Sequence, residues 1–368
     1  MSEDAKAAYL QIRPAADTRH DLLALGEVLL RFDPGETRIH TTRQFNVWEG
    51  GGEYNVARSA RRCFGLRTAI VTALVDNPIG RLLEDLILQG GVSPEHILWH
   101  PFDGIGREAR NGIYFLERGF GPRRGLGAMD RGHTAISQLQ PGDIDWNGIF
   151  ATEGVRWFHT GGIMAALSES TTEVVREAMT AAKANGTVVS FDCNYRPSLW
   201  KSRNGRQGSI VVNRSLMPMV DVLFGHEGDI ARELGEASQG PVWHNADTFT
   251  AMAARVTADF PNLKVIATST RKALTATRNG WSGFASIAGQ TYTGLSFEDL
   301  EILDRVGGGD AFASGLIYGL LTGKDPQYAL NCGIAHGALT MSTPGDSSMA
   351  TLPEVEALMG GSNAGTLR

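Results

Sequence analysis

The chain has 368 residues, of which 42% are hydrophobic and 20% are charged, and its formal net charge at pH 7 is -6. This balance is typical of a globular protein and excludes a disordered chain, and no apolar run approaches the ~18 residues of a membrane span. Because no Lys/Arg cluster supplies the electrostatic footprint of a nucleic-acid-binding protein, we expect a small-molecule partner, no nucleic acid and no membrane.

The two ends of the chain differ in composition from the rest. Residues 1–20 are polar and lack the apolar segment of a secretory signal, so we predict a flexible tail and a cytoplasmic protein. Residues 360–368 are also predicted to be flexible, and residues 21–359 are predicted to form a single domain. The three cysteines lack the spacing of metal ligands and are predicted to be reduced thiols.

Six short runs of β-forming residues recur with helical segments between them, which predicts an α/β fold whose mostly parallel sheet is covered on both faces. The predicted strands are Asp21 to Phe32, Thr68 to Ala73, Val155 to His159, Thr187 to Asp192, Val220 to Phe224 and Leu263 to Thr268. Polar residues follow four of these strands, at the edge where parallel sheets bind ligands. Segments 30–48 and 106–129 do not fit the alternation and are predicted to form a separate small sheet.

The most informative run is Asp304-Arg-Val-Gly-Gly-Gly-Asp310, which precedes an apolar segment of helical length. Glycines let backbone N–H groups approach an anion, and the following helix adds its positive N-terminal dipole end. A carboxylate here repels phosphate unless it accepts the proton of a hydroxyl that attacks the phosphate. On spacing alone, phosphoryl transfer and a plain helix cap by Asp310 are both open, whereas a nicotinamide site is disfavoured because the Gly-x-Gly-x-x-Gly spacing is missing.

This run resembles the C-terminal signature of the ribokinase-like, or PfkB, sugar kinases, and the run Glu49-Gly-Gly-Gly-Glu-Tyr-Asn55 resembles their N-terminal signature. The resemblance extends from Asp21 to about Met359. It implies a ribokinase-like three-layer α/β sandwich with a mostly parallel central sheet and a small β-stranded lid from segments 30–48 and 106–129. It also implies ATP and Mg²⁺ as cofactors and a homodimer contact through the lid.

The matching positions imply roles for individual residues. In the C-terminal signature, the general base is Asp310, and the backbone amides that steady the transferred phosphoryl group belong to Gly307, Gly308 and Gly309. In the N-terminal signature, a sugar-binding turn is implied at Gly51, Gly52 and Asn55, where an amide side chain can hydrogen-bond to hydroxyls in both directions. A simple turn with an exposed asparagine is the alternative for this second motif.

The motif Phe-Asp-x-Asn-Tyr-Arg-Pro-x-Leu-Trp around Arg196 resembles the 2-keto-3-deoxygluconate kinases within the family, which implies a sugar acid as the phosphoryl acceptor. An arginine fork suits a carboxylate, but the same arginine can face the ATP phosphates, and both roles stay open. Tyr114 and Arg131 occupy lid positions similar to substrate contacts of that subgroup. Lid packing or a surface pair is an equal alternative for both.

The nucleotide half departs from the family pattern. The run His226-Glu-Gly-Asp229 stands where many members have Asn-x-x-Glu, and we expect Asp229 to hold Mg²⁺ through a water molecule. A phosphate contact is expected from the loop with Ser269, Thr270 and Arg271, which replaces a Gly-x-x-Gly loop. The run Thr343-Pro-Gly-Asp346 resembles a loop that flanks adenine.

Rival interpretations remain within and outside the kinase class. Within the class, the rivals are fructokinase-like and 5-keto-2-deoxygluconate-type kinases, separated by whether a carboxylate partner such as Arg196 or Arg131 points into the sugar pocket. A neutral sugar would not need such a partner. A non-catalytic sugar or nucleotide sensor would explain the departures at His226 and Ser269, but it has no use for the base at Asp310. Phosphorylation of a sugar or sugar acid by ATP, most specifically of 2-keto-3-deoxygluconate, is therefore the leading hypothesis.

Overall fold

The computed structural model of the protein describes residues 9–226, 228–235 and 245–361. Within these residues the chain forms a large central sheet with helices on both faces and a smaller sheet above one edge. The fold is therefore α/β, as predicted. No helix of the described ranges is long and apolar enough to span a membrane.

The central sheet is parallel over most of its width. Its strands are β1 (His20–Leu25), β4 (Thr68–Val75), β5 (Ser93–His100), β8 (Val155–Gly161), β9 (Val188–Asp192), β10 (Val222–His226), β11 (Val265–Ala273), β12 (Arg278–Ile287), β13 (Gln290–Thr293) and β14 (Phe297–Glu301). Their order is β13-β12-β11-β10-β9-β8-β1-β4-β5, with β14 also paired to β12. The pairs from β11 to β5 are parallel, and the pairs that β12 makes are antiparallel.

The smaller sheet consists of β2 (Leu29–Asp33), β3 (Asn46–Gly50), β6 (Ile113–Glu117) and β7 (Leu126–Asp130), in the order β3-β2-β6-β7. We call this sheet the lid. It arises from the two segments that break the strand–helix alternation, so the expectation of a separate small sheet is confirmed. The pairs β2–β3 and β6–β7 are antiparallel, and β2–β6 is parallel.

The helices are α1 (Gly52–Arg62), α2 (Pro78–Gln89), α3 (Gly162–Ala166), α4 (Glu169–Ala184), α5 (Pro197–Trp200), α6 (Gly205–Leu216), α7 (Asp229–Glu233), α8 (Ala246–Asp259), α9 (Gly308–Leu321), α10 (Pro326–Thr340) and α11 (Leu352–Met359). Because strand side chains alternate between faces, Leu22 packs with α1, α9 and α10, whereas its neighbour Leu23 packs with α4 and α8. Two apolar cores therefore lie on opposite faces of one sheet, which gives three layers.

Two predictions need correction. The predicted strand from Asp21 to Phe32 is two strands in different sheets, because the chain leaves the central sheet after Leu25 and enters the lid at Leu29. The predicted tail over residues 1–20 is too long, because Leu10 is buried in the core and Arg13 Nη1 donates a hydrogen bond of 2.8 Å to the Phe150 carbonyl. Residues 1–8 and 362–368 lie outside the described residues.

Candidate active site

A cleft of 590 Å³ lies between the carboxyl ends of the central strands and the inner face of the lid. Parallel sheets bind ligands at this edge. From the lid, the cleft is lined by Leu29, Tyr114, Leu116 and Met129; from the sheet side it is lined by Gly51, Gly52, Asn55, Asp192, Asn194, Arg196, His226, Asp229, Ser269, Gly307, Gly309, Asp310 and Asp346. Most of the predicted site residues therefore share one cavity.

The turn before α9 has a backbone that only glycine fits. Gly307 has φ +81°, and a Cβ added there would lie 1.8 Å from the Asp346 carbonyl oxygen. The first hydrogen bond within the helix runs from the Ala311 N–H to the Gly307 carbonyl at 2.8 Å. The N–H groups of residues 308–310 precede it and belong to the free donors of a helix N-terminus. They can therefore donate hydrogen bonds to a bound anion.

The three glycines of this turn differ in their surroundings. A Cβ on Gly309 would meet nothing within 4 Å, so this residue borders the open cleft. Gly308 is buried, and a Cβ there would lie 3.1 Å from the Met341 side chain. The side of Gly308 that a side chain would occupy therefore faces the core, and only its backbone is available to a ligand.

Asp310, in the first turn of α9, receives a hydrogen bond of 2.7 Å from Nδ2 of Asn55, which lies on α1. Burial raises the pKa of Asp310 well above its usual range; the Asn55 hydrogen bond lowers it, and the nearby carboxylates of Asp192, Asp346 and Glu53 raise it further. A raised pKa makes this carboxylate a stronger proton acceptor once it is ionised. The N-cap position of α9 is Gly307, and no side-chain cap hydrogen bond is present at this helix N-terminus.

The turn before α1 brings a second glycine pair to the same place. Gly51 has φ +142°, and a Cβ there would lie 1.9 Å from the Glu27 carbonyl oxygen. A Cβ on Gly52 would lie 3.6 Å from Asn194 Nδ2 and 3.7 Å from Asp310 Oδ1. Three segments distant in sequence thus converge around the carboxylate of Asp310.

The two arginines predicted to contact substrate differ in their partners. Arg131 pairs with the buried carboxylate of Glu27 at 2.6 Å, so its charge is already balanced. Arg196 is exposed and donates a hydrogen bond of 3.1 Å to the Tyr195 carbonyl. No carboxylate of residues 9–226, 228–235 and 245–361 lies within 4.0 Å of its guanidinium. Arg196 lines the cleft, and its charge opposes the rise in the pKa of Asp192 and Asp229.

A buried group of charges lies beside the glycine turn. Arg31, on lid strand β2, donates from Nη1 to Asp346 at 2.7 Å and from Nη2 to Asp33 at 3.2 Å, and it also pairs with Asp304. We call these four residues the Arg31 cluster. Tyr114, predicted to contact substrate, directs its hydroxyl to Asp346. The cluster therefore ties the lid to both chain segments that hold Gly307.

Sequence reasoning missed this cluster. Asp304 was recognised only as the start of a motif, and Asp346 was placed near adenine, whereas the structure puts its side chain against Arg31 and Tyr114. Burial raises the pKa of Asp304 and of Asp346, and the guanidinium of Arg31 opposes both shifts. An arginine within an apolar strand pattern was the one available signal, but two of its partners, Asp304 and Asp346, lie 273 and 315 residues away in the chain.

The predicted nucleotide residues are only partly brought together. The side of the cleft away from Asn55 contains His226, Asp229 and Ser269. Thr270 pairs with Ser282 inside the sheet, and Arg271 lines a neighbouring cavity of 740 Å³ beneath the hairpin between β6 and β7. The two cavities share Leu116, Gly125, Arg305 and Val306 on their walls, so they form adjoining parts of one depression.

The carboxylates of this side interact electrostatically. Burial raises the pKa of Asp229, and His226 and three arginines oppose the shift. Burial also raises the pKa of Asp192, and the charge of Asp229 adds to that effect. Two interacting carboxylates that line the same cleft suit a divalent cation with oxygen ligands.

A comparison with known families identifies the chain. The model of the pfkB family of carbohydrate kinases matches residues 19–353. The chain belongs to this family. The glycine turn with Asp310 and the lid above it are therefore features of a PfkB carbohydrate kinase, and the predicted resemblance and enzyme class are confirmed.

Several relatives of this PfkB kinase match over nearly their whole length. A 2-dehydro-3-deoxygalactonokinase from Haloferax volcanii is 32% identical, with 94% of this chain and 98% of the relative covered. A 5-dehydro-2-deoxygluconokinase from Shouchella clausii is 28% identical, with 92% and 95% covered. The crystal structure of a 2-dehydro-3-deoxygluconokinase from Thermotoga maritima has a TM-score of 0.85 at 34% identity, with 92% of this chain and 99% of that chain covered.

Proposed function

We propose that this PfkB kinase phosphorylates a 2-keto-3-deoxy sugar acid, either 2-keto-3-deoxygluconate or its galactonate epimer, at the primary hydroxyl with ATP. The observation that carries the proposal is Arg196, a guanidinium without a carboxylate partner among the described residues that lines the same cleft as Asp310. Planar guanidinium groups bind carboxylates through two parallel hydrogen bonds. The names of the Haloferax and Thermotoga relatives agree with this substrate class.

The proposed reaction uses Asp310 as the base. Its carboxylate accepts the proton of the sugar hydroxyl while the hydroxyl oxygen forms a bond to the γ-phosphorus of ATP. The bond from that phosphorus to the bridging oxygen breaks, and ADP leaves. The free N–H groups of residues 308–310 would steady the negative charge on the phosphoryl oxygens.

Substrate positioning would fall to the residues around Asp310. The turn at Gly51 and Gly52 lets the acceptor approach the backbone closely, and Asn55 orients the base through its hydrogen bond. Arg131 is a weaker candidate for the substrate carboxylate, because Glu27 already balances its charge. Tyr114 would contribute its ring rather than its hydroxyl, which is engaged with Asp346.

The residues on the nucleotide side fit a magnesium ion. Asp229 and Asp192 supply carboxylate oxygens in the cleft. Burial raises the pKa of both carboxyl groups, and a bound cation would stabilise their ionised forms. Mg²⁺ bound there through water would neutralise charge on the ATP phosphates. Ser269 and His226 would contact the phosphates, and the cavity beside Arg271 gives the nucleotide room beyond them.

The test measures ADP release with ATP and Mg²⁺ for five acceptors: 2-keto-3-deoxygluconate, 2-keto-3-deoxygalactonate, 5-keto-2-deoxygluconate, fructose and ribose. The same assay compares Arg196→Gln with Lys201→Gln, an exposed cation in the same segment. We expect a 2-keto-3-deoxy acid to have the highest kcat/KM. We also expect Arg196→Gln to raise its KM at least tenfold, with the KM of ATP unchanged and Lys201→Gln without effect.

Other outcomes of this assay would contradict the proposed role of Arg196, the proposed substrate or the enzymatic activity. A raised KM for ATP alone would place Arg196 at the nucleotide phosphates. A higher kcat/KM with fructose or ribose would favour a fructokinase-like kinase, and a higher kcat/KM with 5-keto-2-deoxygluconate would favour a 5-keto-2-deoxygluconate-type kinase. Binding of ATP and sugar without turnover by any acceptor would favour a non-catalytic sensor.

We also propose that the lid forms a homodimer contact. All five residues of β7 are exposed at the edge of the lid, including Leu126 and Met129. An exposed edge strand with apolar side chains is prone to pair with another chain. Light scattering of the purified protein tests this proposal, and Leu126→Glu should convert a dimer into a monomer. A cytoplasmic location remains a prediction that agrees with three free, buried cysteines.

A further inference from the structure

We propose a second, non-catalytic metal site for a divalent transition metal of the Zn²⁺ class, formed by His20, His96 and Glu153. It lies at the amino-terminal edge of the sheet, whereas the cleft lies at the carboxyl edge. His20 is the first residue of β1, Glu153 lies two residues before the start of β8, and His96 belongs to β5. The three side chains thus come from three separate segments of the fold and lie close together in space.

The distances between the ligand atoms suit tetrahedral coordination. Glu153 Oε2 lies 3.3 Å from His20 Nε2 and 3.5 Å from His96 Nε2. Zinc bonds of about 2.0–2.2 Å to nitrogen and oxygen in a tetrahedron place neighbouring ligand atoms about 3.3–3.5 Å apart. All three ligand atoms lie within 4.8 Å of one another. A small rotation of one imidazole would therefore complete a three-ligand site whose fourth position is open to water.

The chemistry of the two histidines supports a metal rather than a simple hydrogen-bonded pair. His96 Nε2 is buried and makes no hydrogen bond to the described residues, and the atom it faces is Glu153 Oε2 at 3.5 Å. Two imidazoles and one carboxylate match Zn²⁺ better than Mg²⁺, which prefers oxygen ligands.

Arg19 competes with a metal for the same carboxylate. Its Nη1 lies 3.3 Å from Glu153 Oε2, and its Nη2 pairs with Glu95 at 2.5 Å. Because the Arg19 side chain is 49% exposed, it can keep Glu95 and release Glu153 when a metal binds. With a metal bound, Arg19 and the divalent cation would both lie near the carboxylates of Glu95 and Glu153. Because the two cations repel each other, removal of Arg19 should strengthen metal binding.

The test uses the full chain after removal of metals with a chelator, without ATP or Mg²⁺. Calorimetric titration with Zn²⁺ and visible absorption with Co²⁺ are measured for the wild type, His96→Gln, Arg19→Met and the control His100→Gln, which changes another histidine of β5. We expect one equivalent of Zn²⁺, the intense visible bands of tetrahedral Co²⁺, and a higher melting temperature with Zn²⁺.

The variants separate a built site from nonspecific binding. We expect His96→Gln to weaken Zn²⁺ binding at least tenfold, His100→Gln to leave it unchanged and Arg19→Met to strengthen it several-fold. Since a destabilised fold cannot produce stronger binding, the Arg19 variant keeps the test informative even if His96→Gln folds poorly. Equal Zn²⁺ affinity in the wild type and His96→Gln, or no saturable binding at all, would overturn the proposal.

Discussion

The proposed acceptor end and the proposed nucleotide end of the cleft are built differently. At the acceptor end, Asp310 and the glycine turn before it rest on the buried Arg31 cluster, and helix α9 behind them is apolar on nearly all sides. At the nucleotide end, His226 is exposed at the end of β10, and Asp229 begins a helix of only 5 residues. Substitutions should therefore cost both stability and turnover at the acceptor end, but mainly nucleotide affinity at the other.

The largest effect is expected for Asp310→Asn. Loss of the base should lower kcat roughly 10²- to 10⁴-fold, while stability stays the same or rises because a buried carboxylate with a raised pKa is removed. Steady-state kinetics and urea unfolding measure the two quantities. Turnover within tenfold of the wild type would remove Asp310 from the reaction.

The next effect is expected for Arg31→Met. It leaves the buried carboxylates of Asp33, Asp304 and Asp346 without their shared cation, and breaking a buried ion pair in this way costs about 3–5 kcal/mol. Urea unfolding at pH 7 measures the loss. The control is Arg278→Met, whose pair with Asp299 is exposed and should therefore contribute little to stability. Equal losses in both variants would contradict a supporting role for the cluster.

Glu53 provides a pH-dependent test of the acceptor end. Burial raises its pKa from 4.5 to about 7, so between these values the folded state holds more protons than the unfolded state. Stability should therefore fall as pH rises through this window, by roughly 3 kcal/mol for a shift of this size.

Glu53→Gln removes this dependence. The variant should be more stable than the wild type at pH 8, and the advantage should shrink towards pH 5. Urea unfolding at both pH values measures the difference, with Glu36→Gln as the control because Glu36 is exposed. An advantage that grows as the pH falls would contradict the sign of the shift.

The smallest effect is expected for His226→Asn at the nucleotide end. Because the side chain is exposed, its replacement should change the free energy of unfolding by less than ~0.5 kcal/mol and change the KM of ATP only a few-fold. Steady-state kinetics with varied ATP measures the second quantity. A stability loss as large as that of Arg31→Met would erase the contrast between the two ends.

The short-range features of this protein were readable from its sequence. The glycine turn with Asp310, the turn at Gly51 and most strands of the parallel sheet follow from residues close together in the chain, where covalent geometry limits the arrangements. Strand β5 was not predicted. The lid was also predicted, because its segments interrupt a regular alternation of strands and helices. The motif at Arg196 was found for the same reason, since its residues are consecutive.

Only the tertiary structure decided which distant groups share an environment. Arg31 meets Asp304 and Asp346 across 273 and 315 residues, and Arg131 has its charge balanced by Glu27, so neither pairing is visible in a local pattern. The position of Arg271 in the neighbouring cavity, instead of in the cleft, is also not visible in a local pattern. Strand order and burial set these contacts, because the energy of a buried charge depends on every group that surrounds it and not on its neighbours in sequence.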